Sequence, residues 1–328
     1  MKKLNYNRLG ILFIAFLSPV LHYCTQPKAG KPTIFYVNSY HRGHPSSDEI
    51  MDAISEEFSP DSFRMVTCFM DTKRNPYQDY IEKRAAHIND TIKKVNPDIV
   101  IVSDDDAVKY LIQKYFRKSA IPVVFCGVNW SDKDYQLEEV RITGMIEILP
   151  LADVLMTIKS YYPAMKKVMV LNENTTTSRK EKILLDSLFN RRGFTAGYEL
   201  VDDFSQWKTK FEEANRNYDL IYISTNAAVK GWKKEEAVNF ISSHISVPVV
   251  TCEDFMMPYA VLGITKVAGE QGTWAAESAI RILNGVNPSD IPRTMNRQRK
   301  IWLNATLAGK INFQPDRELK DKALIIND

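Results

Sequence analysis

The chain has 328 residues, long for one domain and enough for two that each bury a core. Its hydrophobic, charged and aromatic fractions of 45%, 25% and 11% are those of an ordinary globular protein. The net charge of +3 arises wholly from Lys2, Lys3 and Arg8, the only charged side chains ahead of Cys24, so the remaining body is neutral and lacks the basic face that a nucleic-acid partner requires.

Those first residues form a basic segment followed by an apolar run, Leu9 to Leu21, too short to span a bilayer comfortably. The pattern predicts a secretory signal over residues 1–23. Leu21-His22-Tyr23-Cys24 resembles a bacterial lipobox, with Tyr23 where a small residue is usual. It predicts acylation of Cys24, a lipid anchor to the membrane and a short tether over 24–31. Cys68, Cys126 and Cys252 are dispersed on apolar runs without CxxC spacing, which predicts buried thiols and neither a disulfide framework nor a metal site.

In chain order, Thr33 to Asn38 is a β-branched strand ending in a polar loop, Ser39 to Asp48. Ser46, Ser47 or Asp48 can cap the next helix, whose Ile50, Met51, Ile54 and Phe58 fall at helical spacing. Arg64 to Met70 is a strand ending at Asp71, and a helix runs from Pro76 to Val95 before Asn96-Pro97 breaks it. After a unit described below, Arg141 to Ile148 reads as a strand carrying the chain into a second lobe. Further on come a helix between Pro150 and Pro163, a strand at Lys167 to Asn172, and a polar loop, Glu173 to Ser178. A helix to Arg192, a strand to Leu200 and a helix over Phe204 to Asn217 follow. Tyr259 to Val267 reads as a strand, Gly269 to Leu283 as a helix, RKIWLN as a strand and Ala305 to Lys310 as a short segment before a polar tail. The expected division is an N-terminal lobe over 32–140, a C-terminal lobe over 141–266, and a return helix with a tail over 267–328. Extended crossings near Gly144 and Gly263 would act as a hinge.

One stretch is used twice. Asp98/Asp219, Ser103/Ser224, Ala107/Ala228, Val108/Val229 and Lys109/Lys230 stand 121 positions apart, and Pro122/Pro248 and Cys126/Cys252 stand 126 apart. Each copy is an apolar run, a polar turn, an amphipathic stretch and a second apolar run, the grammar of strand, helix and strand in a parallel sheet. Repetition at this spacing predicts an α/β protein of two Rossmann-like lobes with a cleft between them, and in parallel sheets the carboxyl ends of the strands meet the ligand.

Polar groups at those ends are the candidate ligand-binding residues. Lobe one offers Ser39, Tyr40, His41, Asp71, Ser103, Asp104, Asp105 and Asn129; lobe two offers Asn174, Thr175, Thr177, Ser224, Thr225 and Glu253. A zwitterion would set its ammonium against Asp71, Asp105 or Glu253 and its carboxylate against hydroxyls or helix amides. Three acids in a row, Asp104 to Asp106, exceed what a helix dipole needs, which singles out Asp105 as an ammonium ligand. Tyr40, Trp130, Trp232 and Phe255 could form an aromatic wall. No GxGxxG, P-loop, GxSxG or HExxH is present, so no cofactor, metal or catalytic residue is expected, with a Rossmann-like glycosyltransferase or epimerase as the enzyme alternative.

SYHRGHPSSDEI, MDTKRNP, PDIVIVSDDDA, IPVVFCGVN, ITGMIE, KVMVLNENTTTSRKEK and AAESAIRILNGVNPSDIP with WLNATLAG, in that order, resemble the substrate-binding proteins of ABC transporters, of periplasmic binding protein type I fold. A branch of that family also supplies extracellular sensor regions of histidine kinases. The resemblance spans nearly everything after residue 31. It implies a monomer that captures a small polar molecule between its lobes, an amino acid among the candidates, and passes it to an ABC permease; a sensing partner of a receptor or kinase is the alternative. Ser46 and Ser47 replace an aromatic and a threonine common in the family, and Asp106 replaces an asparagine, both at the expected pocket.

Overall fold

The computed structural model describes residues 30–137 and 141–327, so the expected signal segment and Cys24 lie outside the described residues. From Lys31 onward the chain is one compact unit. Its first half runs β1 (Thr33–Asn38), α1 (Pro45–Glu57), β2 (Arg64–Phe69), α2 (Gln78–Val95), β3 (Ile99–Ser103), α3 (Asp104–Ala107), α4 (Gln113–Tyr115), β4 (Val123–Asn129) and β5 (Ile142–Glu147). Its second runs α5 (Leu151–Tyr161), β6 (Lys167–Glu173), α6 (Thr176–Arg191), β7 (Thr195–Val201), α7 (Phe204–Asn217), β8 (Leu220–Ile223), α8 (Lys234–His244), β9 (Val249–Thr251) and β10 (Leu262–Lys266). The return comprises α9 (Ala268–Leu283), β11 (Thr294–Met295), β12 (Arg299–Asn304) and β13 (Leu324–Ile326).

Two sheets result, one with order β11-β5-β4-β3-β1-β2 and the other β13-β12-β10-β9-β8-β6-β7. Within each, the first strand lies between the second and third, so the order reverses there and a crevice opens at the carboxyl ends. Strands β3 and β8 are buried along their whole length, as fully covered parallel strands must be, and read as unbroken apolar runs. The helices are one-sided instead: α2 buries Ile81, Ala85, Ile88 and Ile92, a single stripe at helical spacing.

Several boundaries differ from the sequence expectation. β5 pairs in parallel with β4 and therefore closes the first lobe rather than opening the second. The return segment divides: α9 packs on α1 and β11 on β5, whereas β12 and β13 extend the second sheet. Gly144 and Gly263 lie inside strands, where a Cβ would come within 2.4 Å of the Phe125 ring and of Met257 Sδ respectively. Those glycines serve close packing, and the chain crosses between lobes in the connections after β5, β10 and β11. α1 is capped by His44, whose Nδ1 accepts from Ser47 N–H at 3.4 Å, not by Ser46, Ser47 or Asp48.

Candidate functional site

The carboxyl ends of the two sheets face one another across a small cavity of about 30 Å3. Lobe one lines it with Tyr40, His44, Ser46, Lys73, Asp104, Asn129 and Glu147, and lobe two with Thr177, Ser178, Glu181, Ser224, Thr225, Glu253 and Lys266. A water needs about 10–15 Å3 on this measure, so the closed cleft has room for a ligand head group and little more. A larger hollow lies outside the cleft along α1 and α9, lined by Asp48, Glu49, Asp52 and Glu56 among others. It is an open surface furnished mostly by the faces of α1 and α9.

Buried ion pairs hold the lobes together. Lys73 of lobe one donates to Glu173 Oε1 at the end of β6, and both side chains are almost wholly buried. Burial alone would lower the Lys73 pKa, but the Glu173 charge and hydrogen bond overcome it and hold the ammonium above its usual value. Lys266, the last residue of β10, bonds Glu147 of lobe one and lies 2.9 Å from Glu253. Its pKa too is raised, the two carboxylates outweighing desolvation. Gln271 Nε2 donates to the other oxygen of Glu147 at 2.5 Å. A third bridge runs from Lys180 to Asp105 Oδ1 and to the Ser131 carbonyl, each at 2.8 Å. Ser46 Oγ donates to Glu253 Oε2 at 3.0 Å, and the Tyr40 side chain is hydrogen-bonded to Thr177.

Three of the cavity carboxylates shift toward the protonated form. Burial, and after it the Glu147 charge, pushes Asp104 well above the usual carboxyl range. Glu181 is pushed up to about 8, chiefly by burial, and Glu253 to about 7 by burial against the pull of Lys266. His44 moves the other way, its imidazolium disfavoured by burial and by Lys73.

Of the residues expected at the site, Tyr40, Asp104, Asn129, Thr177, Ser224, Thr225 and Glu253 border the cavity. Ser39 and Ser103 are buried just behind it: Ser39 Oγ donates to the Ser103 carbonyl at 2.6 Å and accepts from Ala107 N–H at 2.8 Å. Thr175 caps α6 through Ser178 N–H. His41 and Asp71 sit together at 3.6 Å, with Asp71 also held by Arg74, and the Asn174 side chain bonds Asp202 and Arg179 outside the cavity. Asp105 does not border the cavity. Its oxygens accept from Lys180, from Tyr135 Oη at 2.6 Å and from Asn129 Nδ2 at 2.8 Å, so protein donors occupy it. Trp232 packs in lobe two against Phe204, Trp207 and Tyr259. Phe255, by contrast, comes within 5.9 Å of the His44 ring.

His44, Lys73, Glu147, Glu181 and Lys266 were not among the expected residues. For two of them a signal exists: ITGMIE and LGITK are buried strands whose last residue is charged, and KVMVLNE, ending at Glu173, is a third. An ionisable group that ends such a buried strand needs a partner, and the carboxyl ends are where the two sheets meet. Lys73, on a loop, and Glu181, one polar residue on a polar helix, carry no comparable mark.

The family described as ABC transporter substrate binding protein matches residues 43–324. No curated protein matches the chain. Among solved structures, the ABC domain in complex with L-Trp from Streptococcus pneumonia superposes with a TM-score of 0.71 at 15% identity, covering 90% of this chain and 99% of that one. A conserved domain protein from Vibrio cholerae gives the same figures. A substrate binding protein with adhesive properties from Clostridium difficile, in its ligand-free, open form, has a TM-score of 0.64 at 14% identity, again with 90% and 99% coverage. At these identities the likeness establishes the fold, that of the type I periplasmic binding proteins.

Proposed function

We propose that this chain, which belongs to the ABC transporter substrate-binding protein family, is an exported, lipid-anchored protein that closes its lobes on a small polar molecule and presents it to an ABC permease. Proteins of this family bind small molecules, deliver them to permeases and are typically extracellular or periplasmic. The observation that carries the reading is the cavity bounded by both lobes and sealed by buried cross-lobe pairs. Such pairs form only when the lobes come together. One neighbour in fold holds L-Trp, which makes an amino acid one occupant to test.

Thermal-shift screening against a panel of metabolites tests the reading, since a ligand at about a hundred times its dissociation constant adds about 2.7 kcal/mol of stability. Small-angle scattering with a confirmed ligand then shows a smaller radius of gyration. An unchanged radius describes a rigid body and removes hinge closure from the account. For the anchor, Cys24→Ser shifts the protein from the detergent phase to the aqueous phase on extraction; continued partition with membranes excludes lipidation at Cys24.

A further inference from the structure

We propose that the molecule taken by this cleft is a small organic amine, an ammonium joined to a neutral hydrogen-bond acceptor, with no carboxylate of its own. The inference rests on the solute-capture reading and adds the chemical class of the ligand. It begins with the charges that line the cavity: the carboxylates of Asp104, Glu147, Glu181 and Glu253 against the ammoniums of Lys73 and Lys266. Both ammoniums are already spoken for, Lys73 by Glu173 and Lys266 by Glu147 and Glu253. A ligand carboxylate would therefore find no unpaired cation, and to recruit one would leave a buried glutamate without its partner.

What the cavity does leave open is of the opposite kind. Asp104 Oδ2 is buried and has no hydrogen-bond partner among the described residues, and the whole side chain is 7% exposed. Glu181, 3% exposed, has one amide donor, Asn172 Nδ2, at 3.2 Å and no lysine within ion-pair distance among the described residues. A buried carboxylate in this state either holds a proton or receives a cation. Asp104 lines the cavity from lobe one and Glu181 from lobe two, so an ammonium held by either lies at the seam that the lysine pairs close.

The acceptor follows from His44. Its Nδ1 accepts the Ser47 N–H, which puts the hydrogen of the neutral ring on Nε2. Nε2 has no partner among the described residues, and His44 is 3% exposed. Nε2 is therefore a donor left open beside the carboxylates, and with the hydroxyls of Thr177, Ser178, Ser224 and Thr225 around the same cavity it suits a hydroxyl, ether or carbonyl oxygen on the ligand.

Calorimetry and thermal shift on the intact protein test this with ethanolamine and 4-aminobutanol as cationic probes, ethylene glycol and 1,4-butanediol as their neutral counterparts, L-tryptophan as a zwitterion and ribose as a neutral polyol. The amines raise the melting temperature and the diols do not. Repeating the titration at pH 6.5 in buffers of different ionisation heat shows protons released as the amine binds, because Glu181, pushed up to about 8 among Lys73, Glu253, Lys266 and Glu147, gives up its proton to the incoming charge. Asp104→Asn weakens amine binding by about tenfold or more, the scale of a lost charge-assisted bond. Should that variant fail to fold, Glu181→Gln, isosteric with the protonated acid, abolishes the proton release. Binding of L-tryptophan or ribose without any binding of the amines overturns the amine and leaves solute capture standing. Silence from every probe overturns the amine and counts against capture as well. Amine binding unaltered in affinity and proton release by both variants places the ligand elsewhere and also overturns the proposal.

Discussion

In the first copy of the repeat the amide of Ala107 is met by Ser39 Oγ at 2.8 Å; in the second, the amide of Ala228, 121 positions later, is met by Glu173 Oε2 at 2.7 Å. Ser39 follows Asn38 at the end of β1, and Glu173 follows Asn172 on β6, so the repeat extends to the neighbouring strand. Both asparagines turn Oδ1 back onto the chain that follows, Asn38 accepting from Tyr40 N–H two residues on and Asn172 from Glu173 N–H one residue on. One residue differs, and its reach differs with it. A serine can satisfy the amide and nothing more distant, while a glutamate satisfies it with one oxygen and sends the other across the cleft to Lys73. The turns diverge accordingly: the first copy passes directly into α3, whereas the second runs as a loop from Ser224 until α8 begins at Lys234.

Glu173→Ala should break this comparison most severely. It removes the cap on Ala228 and strands the buried Lys73 ammonium, for an expected loss of about 3–5 kcal/mol in urea denaturation. Adding Lys73→Met should recover part of that loss, because the orphaned charge goes with it. A single-mutant cost under about 1 kcal/mol would mean that Lys73 finds another partner as readily.

Asp105→Asn probes the first-copy acids. With Lys180, Tyr135 and Asn129 all donating to this carboxylate, an amide leaves at least one donor unmet, and about 1.5–3 kcal/mol of stability is expected to go. Scattering from the variant should show a larger radius of gyration, since one cross-lobe pair is lost; full stability would show that Asp105 is not committed to these donors.

A pH-dependent effect, smaller at each pH step, belongs to Glu181. Its carboxyl is raised from an ordinary 4.5 to about 8 in the folded chain, so the folded state holds the proton more tightly than the unfolded one. Its contribution is complete below about pH 4.5 and is lost as the pH rises to about 8. Glu181→Gln should therefore flatten the fall in stability across that window, by up to about 1.4 kcal/mol per pH unit, and the melting temperature should follow it. Identical pH profiles would place Glu181 in contact with solvent.

Ser39→Ala should cost least, about 1 kcal/mol for a lost cap, read from the shift of the denaturation midpoint. Ser39→Ala equal in cost to Glu173→Ala would erase the distinction between the copies.

Much of this architecture was legible from the residues alone. Apolar runs of the right length, turn residues between them and a repeat at a spacing of 121 are local or pairwise patterns, and each has a direct physical consequence for strand, helix and sheet. The rule that ligands meet strand ends brought Tyr40, Asp104, Asn129 and Ser224 to notice, because which residue ends a strand is written in the local order.

Which of three consecutive aspartates faces the cavity was not written there. Asp104 stands in left-handed backbone at φ 71° and borders the cavity, whereas Asp105 points to donors on β4 and α6 and the loop between β4 and β5. That choice depends on the exact path of one turn and on groups up to 75 positions away. The sheet membership of β5 and β12 was hidden for the same reason, since an apolar run specifies a strand but not its neighbour, and β13 was hidden altogether in what reads as a polar tail. The lysine pairs were the least visible of all. A lysine and a glutamate 100 positions apart become a buried pair only when two lobes meet. Local sequence determines the elements; the desolvation and charge that define the site exist only once the lobes are assembled.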